Sequence, residues 1–211
     1  MKNINNIFSA KTNLSPLLRF EELELSNKRV DEMYSYSKIN DFYKFLETSP
    51  HVNKLETKNY LKSLIKREKE GSHGGKSIYW SIIDQKTDIM IGTIGFVSIS
   101  EKQQSSCTTM GISNKFRGSG RALEAMITLL EYGFTKMNFH RIWAITHHEN
   151  KPVILSHKLF GFKEEGILRD YYYDGKNYIN ANLLACLDND YTCVKAISTL
   201  ALLRKINLDK C

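Results

Sequence analysis

Nine consecutive residues carry most of the chemistry legible in this chain: Asn114-Lys115-Phe116-Arg117-Gly118-Ser119-Gly120-Arg121-Ala122. They lie between a β-branched segment ending near Ser113 and the clearest amphipathic helix pattern in the sequence. The first N–H groups of a helix have no partner inside it, and the helix dipole adds partial positive charge there. Gly118 and Gly120 let the backbone approach a bulky anion, and Arg117 and Arg121 add formal charge. A phosphate or diphosphate is the guest such a turn accepts. Two other phosphate motifs are excluded. A dinucleotide fingerprint needs a third glycine after Gly118 and Gly120, where this chain has Leu123. Gly71-Ser72-His73-Gly74-Gly75-Lys76-Ser77 is one residue short of a P-loop, and it follows a helical pattern and precedes a strand, the reverse of the required order. It reads as a flexible linker.

Residues able to move protons are scattered. His147 and His148 end a strand pattern, His157 sits on a short helical one, and Tyr171-Tyr172-Tyr173 precede a turn. Tyrosines with hydroxyl tips at Tyr171 and Tyr173 suit a polar ligand, or simply cover both faces of a hairpin. Cys107, Cys186, Cys193 and Cys211 lie far apart with no CxxC pair, so neither a metal site nor a disulfide framework follows. They read as reduced thiols of an intracellular protein.

The elements that must position these groups follow from periodicity. Leu17–Leu23 reads as a strand, and Ser26 caps a helix carrying Val30, Met33 and Tyr34. Asp41–Glu47 and Glu56–Glu70 read as helices, the latter with Tyr60, Leu61, Leu64 and Ile65 at helical spacing. Ile78–Ile83 and Ile89–Ile99 form a hairpin, and Cys107–Ser113 a third strand. Gly120–Met137 is a helix, Arg141–Thr146 a strand, and Pro152–Phe160 a helix with Pro152 in its first turn. Ile167–Tyr173 and Tyr178–Leu187 flank the Asp174-Gly175 turn. Val194–Ile206 is a final apolar helix. The strand–helix–strand crossover implies one parallel pairing in a sheet that is otherwise mostly antiparallel, with helices on both faces. The fold class is α/β with one domain: residues 1–15 loose, 16–188 the folded domain, 189–211 a helical extension.

Arg117-Gly118-Ser119-Gly120-Arg121-Ala122 resembles the (Q/R)xxGx(G/A) acetyl-CoA signature of the Gcn5-related N-acetyltransferases (GNAT). The order strand, signature turn, long helix, strand, Asn150, helix, Gly161-Phe162 is also similar, with the family's spacing from Asn150 to Gly161-Phe162. Glu165-Gly166-Ile167-Leu168-Arg169 with Asp174-Gly175 looks like the ribosomal-protein alanine acetyltransferase branch. The resemblance implies a GNAT fold over about residues 17–187 and acetyl-CoA as co-substrate. It also implies a bulged strand at Thr109, Met110, Gly111 and Ile112 that pairs with the pantetheine arm and gives an N–H to the thioester carbonyl. The amides of Arg117, Gly118, Ser119, Gly120, Arg121 and Ala122 would hold the diphosphate, and Asn150 would touch the cofactor near the pantetheine. His157 stands where many members carry a tyrosine acid, and histidine can donate a proton near neutral pH. Cys107 stands where related enzymes often have a glutamate base; His147 is placed to reach the acceptor amine, and no base is assigned.

A net charge of +7 over 211 residues leaves room for an anionic partner. The basic residues are spread through helices without an aromatic-interleaved run, which argues against nucleic acid. With no apolar run of membrane-spanning length and no signal-peptide pattern, the expected location is the cytoplasm. Three acceptors compete for an N-acetyltransferase: a protein N-terminus, a nucleotide-linked amino sugar, whose diphosphate suits the positive charge, and a polyamine, which suits it least. A non-catalytic acyl-CoA-binding module is the reading from another class. Val194, Ile197, Leu200, Ala201 and Leu203 make the last helix apolar enough to pack on the domain or on a second copy in a homodimer.

Overall fold

The β-branched hairpin at the centre of the sequence becomes the middle of a seven-stranded sheet. The computed structural model describes residues 3–45, 49–71 and 75–208. In chain order the elements are α1 (Ile7–Thr12), β1 (Leu18–Glu22), α2 (Asn27–Ser37), α3 (Asn40–Tyr43), α4 (Lys54–Glu70), β2 (Lys76–Asp84), β3 (Ile89–Ser100), β4 (Ser105–Ile112), α5 (Arg121–Thr135), β5 (Arg141–His147), α6 (Lys151–Lys158), β6 (Lys163–Tyr173), β7 (Tyr178–Leu187) and α7 (Val194–Leu208). The strand order is β1-β2-β3-β4-β5-β7-β6. Every pairing is antiparallel except β4 with β5, the pair joined by the α5 crossover. The mixed α/β sheet covered on both faces is as expected.

Alternation along β2 splits the core in two. Trp80 and Ile82 face a large cluster with α1, α5 and α7, while Ile83 faces a smaller one with Val30 and Met33 of α2 and Leu61 of α4. Gly133 lets α5 lie close to the sheet: a Cβ there would come within 2.6 Å of Phe96. Local signals hold at the caps. Ser26 Oγ accepts the Arg29 N–H, Asn53 Oδ1 accepts the Glu56 N–H, and Asp174 Oδ1 accepts those of Lys176 and Asn177 in the hairpin turn.

Three expectations are corrected. Residues 1–15 are not loose where they are described: α1 forms, and Ile4 and Phe8 are each 1% exposed. The i,i+4 pair of apolar side chains decides this against the Asn- and Ser-rich composition, and Asn5 brackets the backbone of Phe20 from both sides. The helix expected at Asp41–Glu47 is a single turn at Asn40–Tyr43, and residues 46–48 lie outside the described residues. The Gly71–Gly75 linker falls largely outside them as well. The bulge implied for Thr109–Ile112 is absent: β4 pairs in unbroken register with β3 from Cys107↔Val97 to Ile112↔Gly92. The irregularity sits one turn away, between Val97 and Ser100, where Ser98 has φ 53°. No helix among the described residues is long and apolar enough to cross a membrane.

Candidate active site

β4 and β5 are neighbours for only three residue pairs, Ser105↔Arg141 to Cys107↔Trp143. Beyond these, β4 follows β3 to Ile112, and β5 follows β7 to His147↔Ala181, so the two strands part and leave a wedge in the sheet. Backbone groups on the β4 side of the wedge have no strand to pair with. Ser113 N–H donates to the Ile91 carbonyl at 2.7 Å. Counting back by twos in an antiparallel ladder, the amides of Met110 and Ile112 therefore point away from β3, into the wedge. Gly111 is directed the other way: its carbonyl faces β3, close enough that a Cβ on Gly92 would lie 2.2 Å from it. Of Met110, Gly111 and Ile112, then, the first and third offer backbone to a ligand.

The signature turn stands at the open end of β4. A short 3-10 turn, Asn114–Phe116, leads into Gly118 at φ 70° and Gly120 at φ 82°, conformations that glycine adopts without strain. Gly120 caps α5 with no side-chain hydrogen bond, and the Arg121 N–H reaches back to Ser119 Oγ at 3.5 Å, so of the first two helical amides that of Ala122 is left to a guest. Nothing lies within 4 Å of where a Gly118 Cβ would be, whereas behind Gly120 a Cβ would meet Leu200 Cδ1 of α7 at 2.6 Å. The turn is open in front and backed by the C-terminal helix. Ser119 Oγ is spent on the Phe116 carbonyl at 2.6 Å. Arg117 is exposed. Arg121 is corrected: its guanidinium does not extend toward an anion in the turn but donates to Asp84 Oδ1, Nε at 2.7 Å and Nη2 at 2.6 Å, and lies over the Phe116 ring. Asp84 is 1% exposed, and a buried carboxylate requires such a partner.

The other wall of the wedge is aromatic. His147, 6% exposed, stacks on Tyr172 with centroids 5.4 Å apart and meets Phe45 at 5.2 Å. Phe42 of α3 reaches Gly111 on β4. The segment carrying Phe42 and Phe45 thus touches both sides of the wedge. Tyr171 and Tyr173 were the expected pocket residues, and the structure brings Tyr172 to His147 instead. The register breaks between Leu168 and Tyr172, where Asp170 has φ 52°, yet the even positions stay the less exposed ones across it, so Tyr172 shares a face with Gly166 and Leu168. Tyr171 and Tyr173 are 45% and 60% exposed, and the Tyr173 hydroxyl donates to the Gly175 carbonyl in the hairpin turn. Asn150 caps α6 through its backbone, donating to the His147 carbonyl at 2.8 Å, and its carboxamide makes no cap bond.

Tautomers decide what the histidines can do. The Glu149 N–H donates to His147 Nδ1 at 3.2 Å, so the neutral ring carries its proton on Nε2. Burial lowers the His147 pKa, with the Glu149 carboxylate opposing, which keeps the ring neutral and a hydrogen-bond donor. His157 has the opposite tautomer. It is 5% exposed, its Nδ1 lies 2.8 Å from the Val153 carbonyl and must donate, and its Nε2 is buried without a partner. Burial pushes its pKa down as well, the Val153 carbonyl opposing. A neutral ring of this tautomer has a lone pair on Nε2 and no proton there to give, which corrects the expectation of a general acid. Gly161, at φ 89°, ends the α6 segment where a Cβ would strike the Asp190 carbonyl at 2.1 Å, and Phe162 then packs edge-on against His157 at 4.8 Å.

Phe42, Phe45 and Tyr172 are the site residues that sequence reasoning missed. Only the adjacency of Tyr172 to two named tyrosines hinted at one of them. A cavity of about 400 Å³ lined by Glu68, Lys76, Ile99, Glu101 and Phe139 lies at the opposite ends of β2 and β3, away from the wedge and from all of this chemistry. Among the described residues no His, Cys, Asp and Glu cluster could hold a metal ion.

Known proteins share this fold. An uncharacterized N-acetyltransferase p20 of Bacillus licheniformis is 28% identical over 174 residues, which cover 82% of this chain and 94% of that one. The spermidine N-acetyltransferase of Vibrio cholerae, solved with CoA and spermine, superposes with a TM-score of 0.69 at 19% identity, covering 83% of this chain and 98% of that one. The ribosomal-protein-S5-alanine acetyltransferase of Vibrio fischeri superposes with a TM-score of 0.69 at 17% identity over 85% of this chain and 97% of that one. The acetyltransferase (GNAT) domain model matches residues 19–163, well over half of the chain, and the protein is an acetyl-CoA-dependent N-acetyltransferase of the GNAT family.

Proposed function

We propose that the wedge between β4 and β5 is where the acetyl group passes directly from acetyl-CoA to a primary amine, the amine entering over Phe45, His147 and Tyr172. The observation that carries this reading is the combination of outward-facing Met110 and Ile112 amides with an uncapped, glycine-lined helix start at the end of the same strand. Within Arg117–Ala122 the amides of Gly118, Gly120 and Ala122 hold the diphosphate, those of Arg117, Ser119 and Arg121 being bonded inside the turn, and the Arg117 side chain adds charge. Met110 and Ile112 pair with the pantetheine arm, and one of their N–H groups meets the thioester carbonyl. A donor so placed is worth roughly 3 kcal/mol to the developing oxyanion. Asn150 offers its carboxamide to the same arm.

Acetyl-CoA supplies an activated acyl carbon. The amine nitrogen forms a bond to that carbon, the C–S bond breaks, and the proton lost by the amine balances the charge on the departing sulfur. His147, protonated on Nε2, donates to the acceptor and orients it. His157, with its Nε2 lone pair, receives a proton in passage. Both rings are neutral at rest, in keeping with the lowered pKa of each, and His157 is cationic only while it holds that proton.

For the acceptor, the open tyrosine-lined wall favours a group broader than a bare alkyl amine: a protein N-terminus or a nucleotide-linked amino sugar, the latter suiting the net charge of +7. A polyamine is the second reading. It is supported by the Glu149 and Asp174 carboxylates, both close enough to raise the His147 pKa. Thiol release from acetyl-CoA is to be followed with an alanine-starting peptide, a UDP-linked amino sugar and spermidine. Release with the peptide or the sugar nucleotide supports the proposal, and release with spermidine alone overturns its acceptor class. Binding of acetyl-CoA with no release on any amine would leave a non-catalytic acyl-CoA-binding module.

A further inference from the structure

Glu124 lies one turn inside α5, directly behind the signature turn, and is 0% exposed. Its Oε1 accepts the N–H groups of Leu17 at 2.8 Å and Leu18 at 2.9 Å, and its Oε2 accepts Arg204 Nη2 of α7 at 2.6 Å. Arg204 Nη1 donates to the Ser15 carbonyl at 2.8 Å, and the guanidinium lies over the Phe8 ring. Leu200 and Leu203, one turn and one residue before Arg204, are the α7 side chains seated against Gly120. The partners of the Glu124 carboxylate (Leu17, Leu18 and Arg204) fall outside residues 19–163, the part matched by the family model.

A buried ion pair is a poor means of gaining stability, because apolar residues of the same size do as well or better. What it fixes is geometry. Here it also cancels a negative charge that would otherwise sit at the helix end meant for an anion.

We propose that Arg204 is a positioning residue for acyl-CoA binding: through Glu124 and Leu200 it ties both chain termini to the first turn of α5 and neutralises the carboxylate behind it. This rests on the reading that Arg117–Ala122 holds the diphosphate. The α7 helix is then part of the cofactor site although it supplies no atom to the ligand.

The test is calorimetric titration of CoA into the full chain, with thermal unfolding recorded for every variant. Arg204→Met weakens CoA binding by roughly tenfold, the size of an ordinary coupling between sites. Arg204→Lys recovers part of the loss. The double variant Arg204→Met with Glu124→Gln recovers most of it, because glutamine still accepts from Leu17 and Leu18 and carries no charge. A purely structural role predicts the opposite, a double variant no better than Arg204→Met. Should Arg204→Met fail to fold, Leu200→Ala reports instead, and it too is expected to weaken CoA binding by severalfold in a folded protein. Folded variants that bind CoA as the native chain does overturn the inference alone. A native chain that does not bind CoA overturns the underlying reading.

Discussion

The two sides of the wedge are made differently. The proposed cofactor side is backbone: two positive-φ glycines, a helix start without a side-chain cap, and the outward amides of one strand. Its side chains are spent on holding that backbone still, Arg121 on buried Asp84 and Glu124 on Arg204. The proposed acceptor side is side chain: Phe42 and Phe45 after α2, His147 at the end of β5, and Tyr172 from the edge strand β6. Its rim is solvent-exposed, with Tyr171, Tyr173 and Tyr178 at 45%, 60% and 66%. Backbone recognition constrains few residue types, whereas a side-chain wall can be rebuilt without moving the frame. The difference teaches that the proposed acceptor wall can vary while the proposed cofactor frame stays fixed.

The sharpest break in the comparison is at Arg121. Arg121→Met strands the Asp84 carboxylate at 1% exposure and should cost about 3–5 kcal/mol in a denaturant titration. Arg117→Met should change stability by less than about 1 kcal/mol and weaken acetyl-CoA binding instead. If the two variants behave alike, the division of labour between the arginines is wrong. Next in size is Gly120→Val. A left-handed conformation costs a non-glycine residue about 1–2 kcal/mol, more when β-branched, and the new Cβ meets Leu200. Acetyl-CoA affinity, measured by calorimetry, should fall by at least about tenfold.

On the acceptor side, Tyr172→Ala and His147→Ala should each raise the acceptor KM by about tenfold while the acetyl-CoA KM stays within about twofold. Equal effects on both constants would show that the aromatic wall is not specific to the acceptor. The smallest effect is with pH. His157 and His147 are held neutral in the fold by burial, below their ordinary value of 6.5. The unfolded chain takes up these protons first, so stability is complete above about pH 6.5 and is lost as pH falls below it. His157→Leu should flatten that slope in thermal melts between pH 7 and 5; an unchanged slope would remove His157 from the account.

Legibility followed the same division. The signature turn, the hairpin at Asp174-Gly175 and the α5 pattern were readable because each depends on neighbours in the chain. Gly161-Phe162 was readable as a motif, but its reason, the Asp190 carbonyl 2.1 Å from any Cβ, comes from a later segment. His157 was legible as a residue of the short α6 pattern, whereas its tautomer is set by the Val153 carbonyl one helical turn before it. Three tyrosines in a row carry no sign of which one faces inward; in the fold it is Tyr172, on the face of Gly166 and Leu168 and stacked on His147.

The sequence by itself determined most of the elements, the glycine-lined turn before α5 and the family resemblance, because local hydrogen bonds, helix dipoles and glycine conformations act over a few residues. Tertiary structure alone decided that β4 and β5 part after three residue pairs, and that Phe45, His147 and Tyr172 meet. It also decided that the two chain ends close on Glu124. Those outcomes depend on which distant surfaces exclude water together, and periodicity along the chain carries no record of that.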